Sequence, residues 1–407
     1  MQTPSLTGVH AYADRIVLPP LISSLYERFL LVGLMAKRAG SPFSDRGFLS
    51  RDKKGLLHPK PFALIGGANV IKSMARREEL AAPGVEAHIR IQTGKVAGSS
   101  KHLGTRDTEP NIASKTTNSH DQKVKTAKVR WSKLHTEIFL WNTTIELAAG
   151  KAQIASATAE GTAIGMSDHL DAMVPKLYWG APSDQDEDIW DSPFGLNEVL
   201  KKNNTYLGLD RDLTTYTDPV DGATKNYWAS HRHTDAIAAS LDLIDIANID
   251  FGIQDRGPGI DVVLCAKGPY HAIKAEALSK NGTLIHRGSP EAAKLGITRE
   301  AVLYGDVLIT YDSGLRDWTG AGGPDLSQAV AGLTLGDWVF QTQAGKNFAL
   351  GDFVDTGKYA EAGKDGVRGL LKTHYRMWCE HPENQIMFTN VTGGVVTETA
   401  GVVSSEE

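Results

Sequence analysis

Between residues 86 and 135 the chain spells out a segment that a compact domain has little means of burying. It begins with Glu86-Ala-His-Ile-Arg-Ile-Gln-Thr93, an apolar–polar alternation that predicts a half-exposed strand. It ends in a run from Val124 to Trp141 rich in β-branched and aromatic residues, among them Val129, Trp131, Ile138 and Phe139. The stretch between, Lys95 to Lys123, is dominated by Ser, Thr, Asn and Lys and offers almost nothing to a core. A structureless passage of that length inside a domain is improbable unless it has a task outside it. The simplest reading is an arm that leaves one subunit and is ordered by another.

The charge distribution bears on this. Residues 86–135 hold ten Lys/Arg against four acids, leaving +6 there and −11 in the rest of a chain whose net charge is −5. A basic arm on an acidic body suits docking onto an acidic neighbour, a second copy included. Charge alone equally suits a solvated loop. The candidate inter-subunit contacts are Arg90, Lys95, Lys101, Arg106, Lys115, Lys123, Arg130 and Trp131. If the arm is two-stranded with about 16 residues per strand, it reaches on the order of 50 Å at ~3.3 Å per residue.

At 407 residues there is room for two or three domains, and 41% hydrophobic with 22% charged residues excludes wholesale disorder. Overall acidity argues against a dedicated nucleic-acid binder. Two cysteines, Cys265 and Cys379, imply no disulfide framework and suit a reducing compartment. The apolar window Phe29–Met35 is too short to span a bilayer and lacks a basic segment before it, so neither a membrane helix nor a signal peptide is expected.

Along the chain, Leu25 to about Gly40 predicts a helix, and Asn69–Leu80 a short basic one. Asn142 to about Tyr178 carries an Ala-rich stripe through Ala152, Ala155, Ala159, Ala163, Met166, Leu170, Met173 and Val174, a helical period ended by Pro175. Gly161 and Gly165 leave open two helices in place of one. Residues 181–235 are loop-rich. Beyond them come a helix over Ala236–Gln254, a buried strand at Val262–Ala266, a helix over Pro269–Lys280 and a strand at Val307–Tyr311. Asp337–Thr342, Asn347–Leu350, His374–Cys379 and Ile386–Phe388 read as closing, mainly antiparallel strands.

Few residues suggest catalysis. His231-Arg-His233 with Asp235 is the one local cluster that could approach a metal, since strand residues two apart share a face. A metal-dependent hydrolase is therefore the rival reading. Asp184-Gln-Asp-Glu-Asp188 lacks the Gly and closing Glu of a calcium loop and reads as a solvated acidic turn. No phosphate-binding glycine loop and no nucleophile elbow is present. No cofactor is expected.

The order of parts, together with several stretches, resembles the major capsid proteins of tailed bacteriophages. Asn204-Thr-Tyr-Leu-Gly-Leu-Asp-Arg211 followed by Tyr227-Trp228 is similar to a passage often found after that family's spine helix. Asp261-Val-Val-Leu-Cys-Ala with Tyr270-His-Ala-Ile, Leu303 to Asp312, and Lys346-Asn-Phe-Ala-Leu350 look like later segments of its pattern. The resemblance implies an α+β fold. Residues 1–84 would be the N-terminal arm and helices, 85–135 an extended hairpin called the E-loop, and 136–205 a P-domain with a long spine helix. Residues 206–334 would be an α/β A-domain, 335–397 the closing strands of the P-domain, and 398–407 an acidic tail.

The resemblance further implies a non-enzymatic virion protein. It would assemble in the cytoplasm of a host bacterium into pentamers and hexamers of an icosahedral head. That head would enclose double-stranded DNA without specific binding and without a membrane. Scaffolding and portal proteins would be partners, with room for a decoration protein. A cellular encapsulating shell of the same fold is the closest alternative.

Overall fold

One strand eighteen residues long, Val124–Trp141, frames the molecule. The computed structural model describes residues 31, 49–51, 57–59, 64–65, 68–69, 76–80, 84, 86–92, 124–141, 151–217, 222, 224–247, 260–280, 283–285, 300–304, 307–343, 346, 348–351, 354–355 and 366–393. Numbered along the chain, the strands of the two large sheets are β1 (Arg76–Leu80), β2 (Glu86–Gln92), β3 (Val124–Trp141), β4 (His231–His233), β5 (Val262–Cys265), β6 (Thr283–Ile285), β7 (Ala301–Tyr304), β8 (Val307–Tyr311), β9 (Val330–Leu333), β10 (Trp338–Gln343), β11 (Gly366–Cys379) and β12 (Ile386–Phe388). The two long helices are α1 (Lys151–Trp179) and α2 (Lys267–Ser279).

The first sheet runs β1-β10-β11-β3-β2, with Ile189–Trp190 added beside β3. Strand β3 is long because it serves two partners. Its first half pairs with β2, from Gln92↔Val124 to Glu86↔Arg130, and its second half with β11, from Tyr375↔Ser132 to Gly366↔Trp141. Where β3 passes from one partner to the other, the buried Arg376 fills the wedge. Its guanidinium donates to Gln341 Oε1 (2.6 Å) and to Val129 O (3.2 Å) and stacks 4.2 Å over Trp131.

Helix α1 lies across the second half of β3. It is continuous through Gly161 and Gly165, and Gly165 is where it comes closest to the sheet: a Cβ there would stand 2.5 Å from Ile138 Cγ1. Two expectations change. The helix passes Pro175 and stops at Trp179. The carbonyl that Pro175 leaves unpaired belongs to the exposed Asp171, where water can satisfy it. Gly180, wedged between the Lys176 and Pro193 carbonyls, supplies the stop. The Ala-rich stripe is buried at Met166, Met173 and Val174, as expected, but elsewhere Thr158, Thr162 and His169 are buried while Ala159, Ala163 and Leu170 are only partly so. The His169 ring bridges Thr136 Oγ1 and Thr373 Oγ1, both at 2.8 Å, so one imidazole pins α1 to β3 and β11 together. The expected beginning of the helix, 142–150, lies outside the described residues.

The second sheet runs β4-β12-β9-β5-β8-β7-β6. Strand β5 is apolar at every position because both faces are covered. Val262 and Leu264 join the core shared with the first sheet, while Val263 and Cys265 pack with Tyr270, Ile273 and Ala277 of α2. The chain crosses between sheets at 333–338 and returns at 379–386. Gln385 locks the two crossings, its Oε1 accepting from Thr334 N (2.9 Å) and Trp338 Nε1 (3.1 Å). A third tie is the buried Asp312, whose carboxylate accepts from Gly314 N (3.0 Å), the Tyr178 hydroxyl (2.8 Å) and Leu31 N (2.9 Å).

Elsewhere local propensity yields to pairing. Asn69–Leu80 is not a helix: Ala68–Asn69 and β1 are strands, β1 lying parallel to β10. Of Ala236–Gln254, the described residues contribute Ile237–Ala238 to a ribbon with Val391–Thr392 and a short helix, Asp242–Asp245; residues 248–254 lie outside the described residues. Strand β12 belongs to the second sheet, between β4 and β9, and not with β10 and β11. Leu31 is helical, as expected; the remainder of that N-terminal helix lies outside the described residues.

Two predictions follow from these ties. A Cβ at Gly314 would fall 1.8 Å from Tyr178 Cζ, so Gly314→Ala lowers stability by about 1–3 kcal/mol or more. Gly320→Ala, with nothing within 4 Å of its Cβ, leaves it unchanged; urea titration of the two variants checks both. Burial, and then the neighbouring His135, hold His169 down to about 4. The unfolded chain therefore binds more protons, and the stability His169 contributes is complete above about pH 6.5 and is lost as pH falls toward 4. Burial raises Asp337 to about 6, an effect of opposite sign over part of that window, so the readout is wild type against His169→Gln. The variant is expected to lose less stability between pH 6.5 and 4, by on the order of 3 kcal/mol.

Candidate assembly surfaces

Strands β2 and the first half of β3 form a two-stranded limb at one margin of the first sheet. Its root is fastened to the body. Ala127 and Val129 are buried, and Lys128 N donates to Leu207 O (3.2 Å). Glu86 faces Arg130 across the ladder, with Nε 3.7 Å from Oε2. At the outer end of the described ladder Ile91 is still buried, while Val124, the first described residue of the returning strand, is 44% exposed.

The sequence-derived contacts divide on this geometry. Arg90 is exposed on β2. Arg130 and Trp131 are committed inside their own chain. Arg130 pairs with Glu86 and Asp188 and donates to the Asp186 carbonyl, while Trp131 Nε1 donates to Gly84 O at 2.9 Å. Lys95, Lys101, Arg106, Lys115 and Lys123 lie outside the described residues.

The histidine cluster is placed as a strand predicts. His231 and His233 lie on the same face of β4, and His233 stacks near Phe388 with ring centroids 5.8 Å apart. Burial holds His231 below its ordinary range. Asp235 is exposed, and among the described residues no group of three His, Cys, Asp or Glu is arranged to hold a metal. The hydrolase reading thus lacks a third ligand there.

Arg211, from the stretch that carried the resemblance, is fully buried. It lies 4.8 Å over the Tyr206 ring, and its Nη2 donates to Val199 O at 2.7 Å. Tyr206 in turn packs on Phe194 and Trp228. This passage builds core and exposes no chemistry. Cys265 and Cys379 are likewise buried, with thiols pushed up by burial.

Sequence reasoning missed a surface on the far side of the first sheet from α1. Strands β3 and β11 each carry Lys-x-His, at Lys133/His135 and Lys372/His374, and their register sets each Lys opposite the other strand's His. The two imidazoles meet Nε2 to Nε2 at 2.9 Å and stack 5.2 Å apart. With His374 Nδ1 donating to Gln343 Oε1 (2.9 Å), His374 Nε2 is left to accept from His135 Nε2–H. Burial first, and then His135 and lysines 133, 346 and 372, lower His374 to about 4. The pair is neutral near pH 7 in a ring of ammonium groups. The period-2 repeat of Lys-x-His in two strands was the signal available in the sequence.

A second surface is the loop 184–191, whose Asp184, Asp186, Glu187, Asp188 and Asp191 are all exposed. It is held in shape by Gln185, which donates to Thr205 O (3.2 Å) and accepts from Gly208 N (2.8 Å) and, at its carbonyl, from Trp190 Nε1 (3.3 Å).

No family model and no curated protein matches the chain. The solved structures it is similar to are mostly phage capsids, with an encapsulin and a virus-like particle among them. The capsid of cyanophage A-1(L) is 10% identical over 90% of this chain and 93% of that one, with a TM-score of 0.46. The holo-SrpI encapsulin of Synechococcus elongatus is 10% identical over 77% and 84%, with a TM-score of 0.43. The procapsid of satellite phage P4 is 12% identical over 79% and 86%, with a TM-score of 0.39. At these scores the likenesses are loose.

Proposed function

We propose that this chain is a structural subunit that assembles with copies of itself into a closed shell, as the major head protein of a tailed phage does. The observation that carries this reading is the limb. Among the described residues, no third strand lies against β2. The ladder it makes with β3 runs outward to Gln92 opposite Val124, toward the long polar, basic stretch between them. An isolated two-stranded ribbon is marginal in water. A neighbouring copy supplies the missing surface, and the ordering entropy given up on docking keeps each contact weak and correctable. Many such contacts hold a shell through multivalency.

In this reading the copies form pentamers and hexamers of an icosahedral head that encloses double-stranded DNA. The chain's net charge of −5 suits a container that encloses DNA without gripping it. Scaffolding and portal proteins guide closure, a decoration protein is accommodated, and the subunit performs no catalysis. The head is built in the bacterial cytoplasm and ends as the virion wall.

The test is a deletion of Lys95–Lys123. The shortened chain is expected to remain soluble, with wild-type circular dichroism, and to form no closed particles in negative-stain images under conditions where the wild type does. Closed particles from the deletion variant would sink the limb as the basis of assembly. Nuclease-protected DNA in particles from infected cells separates a viral head from a cellular compartment.

A further inference from the structure

Along β3 and β11, the face of the first sheet opposite α1 carries more cations than anions. Side chains alternate across a strand, so Lys133, His135 and Glu137 of β3 share one face with Arg368, Lys372 and His374 of β11. On these two strands the one carboxylate of that face is Glu137, and it is engaged with Arg368 at 3.5 Å. Lys346 adds a third ammonium group near the imidazole pair, since its positive field bears on both rings. Among the described residues, Lys133, Lys346 and Lys372 make no ion pair.

The same chain presents the complement. In the loop 184–191, Asp188 shares Arg130 (3.6 Å), Asp184 Oδ1 accepts Asp186 N–H (2.8 Å) and Asp191 Oδ1 accepts Ser183 N–H (3.1 Å). The carboxylates of Asp186 and Glu187 meet no cation among the described residues. The loop stands on the margin of the sheet, because Ile189–Trp190 pairs with Trp131–Ser132 of β3. It lies only two strand positions from Lys133, yet it does not close on the lysines of its own chain.

We propose that the lysine face of the first sheet, Lys133, Lys346 and Lys372, is the docking site for the acidic loop Asp184–Asp191 of a second copy. Each chain carries one of each surface, so the contact is heterologous, loop of one copy to face of the next. Such contacts generate rings when the rotation closes. A nucleic-acid backbone would satisfy the lysines but leave Asp186 and Glu187 unmatched. Of the other exposed acids, Glu160, Asp168 and Asp171 project from α1 on the opposite side of the layer. Docking them on the lysines would stack copies through the thickness of a wall instead of side by side. That last step rests on the shell reading.

The experiment reverses each surface and then both. Lys133→Glu with Lys372→Glu, and separately Asp186→Lys with Glu187→Lys, are each expected to cut the assembled fraction about tenfold or more at low salt. The chain carrying all four substitutions is expected to recover most of it. Sedimentation and negative-stain imaging read assembly, circular dichroism confirms folding, and Lys133→Gln with Lys372→Gln serves if the glutamates disturb the sheet. Wild-type assembly is also expected to weaken as salt rises. If neither reversal changes wild-type-like particles, this contact is wrong and the shell reading stands. If only the lysine variants fail, the fourfold variant stays defective and bound DNA is lost, the face serves nucleic acid and the proposal is overturned. A wild-type chain that stays monomeric at every salt concentration sinks both.

Discussion

The backbone ladder between Ser132–Trp141 and Gly366–Tyr375 is the constraint on which the rest of the molecule hangs. Strand β3 offers one hydrogen-bonding edge to β11 along its second half and the other to β2 along its first. The limb is therefore no appendage joined by a loop. It continues the central strand of the first sheet, so force on it is carried by the ladder that also seats α1. The handover between partners would expose Val129 O and the Trp131 face. Arg376 covers both from β11, and its guanidinium is buried in doing so.

Polar groups hold the joints, and apolar groups fill the space between them. His169 fixes helix to sheet, Gln385 fixes one sheet to the other, and Asp312 gathers the end of α1, residue 31 and the second sheet on one carboxylate. Each is buried with its partners in place, the condition under which a buried polar group specifies an arrangement instead of weakening it. The surface follows another rule. Among the described residues, lysines 133, 346 and 372 and the carboxylates of Asp186 and Glu187 meet no opposite charge within the chain, which leaves them open to an outside partner.

How much of this was legible in the sequence depended on whether the signal was local. Strand β3 was readable from its β-branched and aromatic run, β5 and β8 from unbroken apolar stretches, and α1 from its period. The helix stop was misplaced because Pro175 is a strong local marker, whereas the Gly180 stop depends on the distant Pro193 carbonyl. Arg76–Leu80 has good helix formers and became a strand because β10 had an open edge. The Ala-rich stripe marked Met166, Met173 and Val174 but missed His169, which is buried because Thr136 and Thr373 satisfy both of its ring nitrogens. The Lys-x-His pairs were visible as text, but their significance appears only once the register sets them face to face.

Strand β12, near residue 387, is inserted between β4 and β9, both of which are made far earlier in the chain. During synthesis the second sheet therefore waits with a gap in its middle until Ile386–Phe388 leaves the ribosome. An interrupted translation product would lack that keystone and expose the flanks of β4 and β9. Chains cut short in this way would be left with an open second sheet, so the winding of the chain itself separates them from properly folded ones.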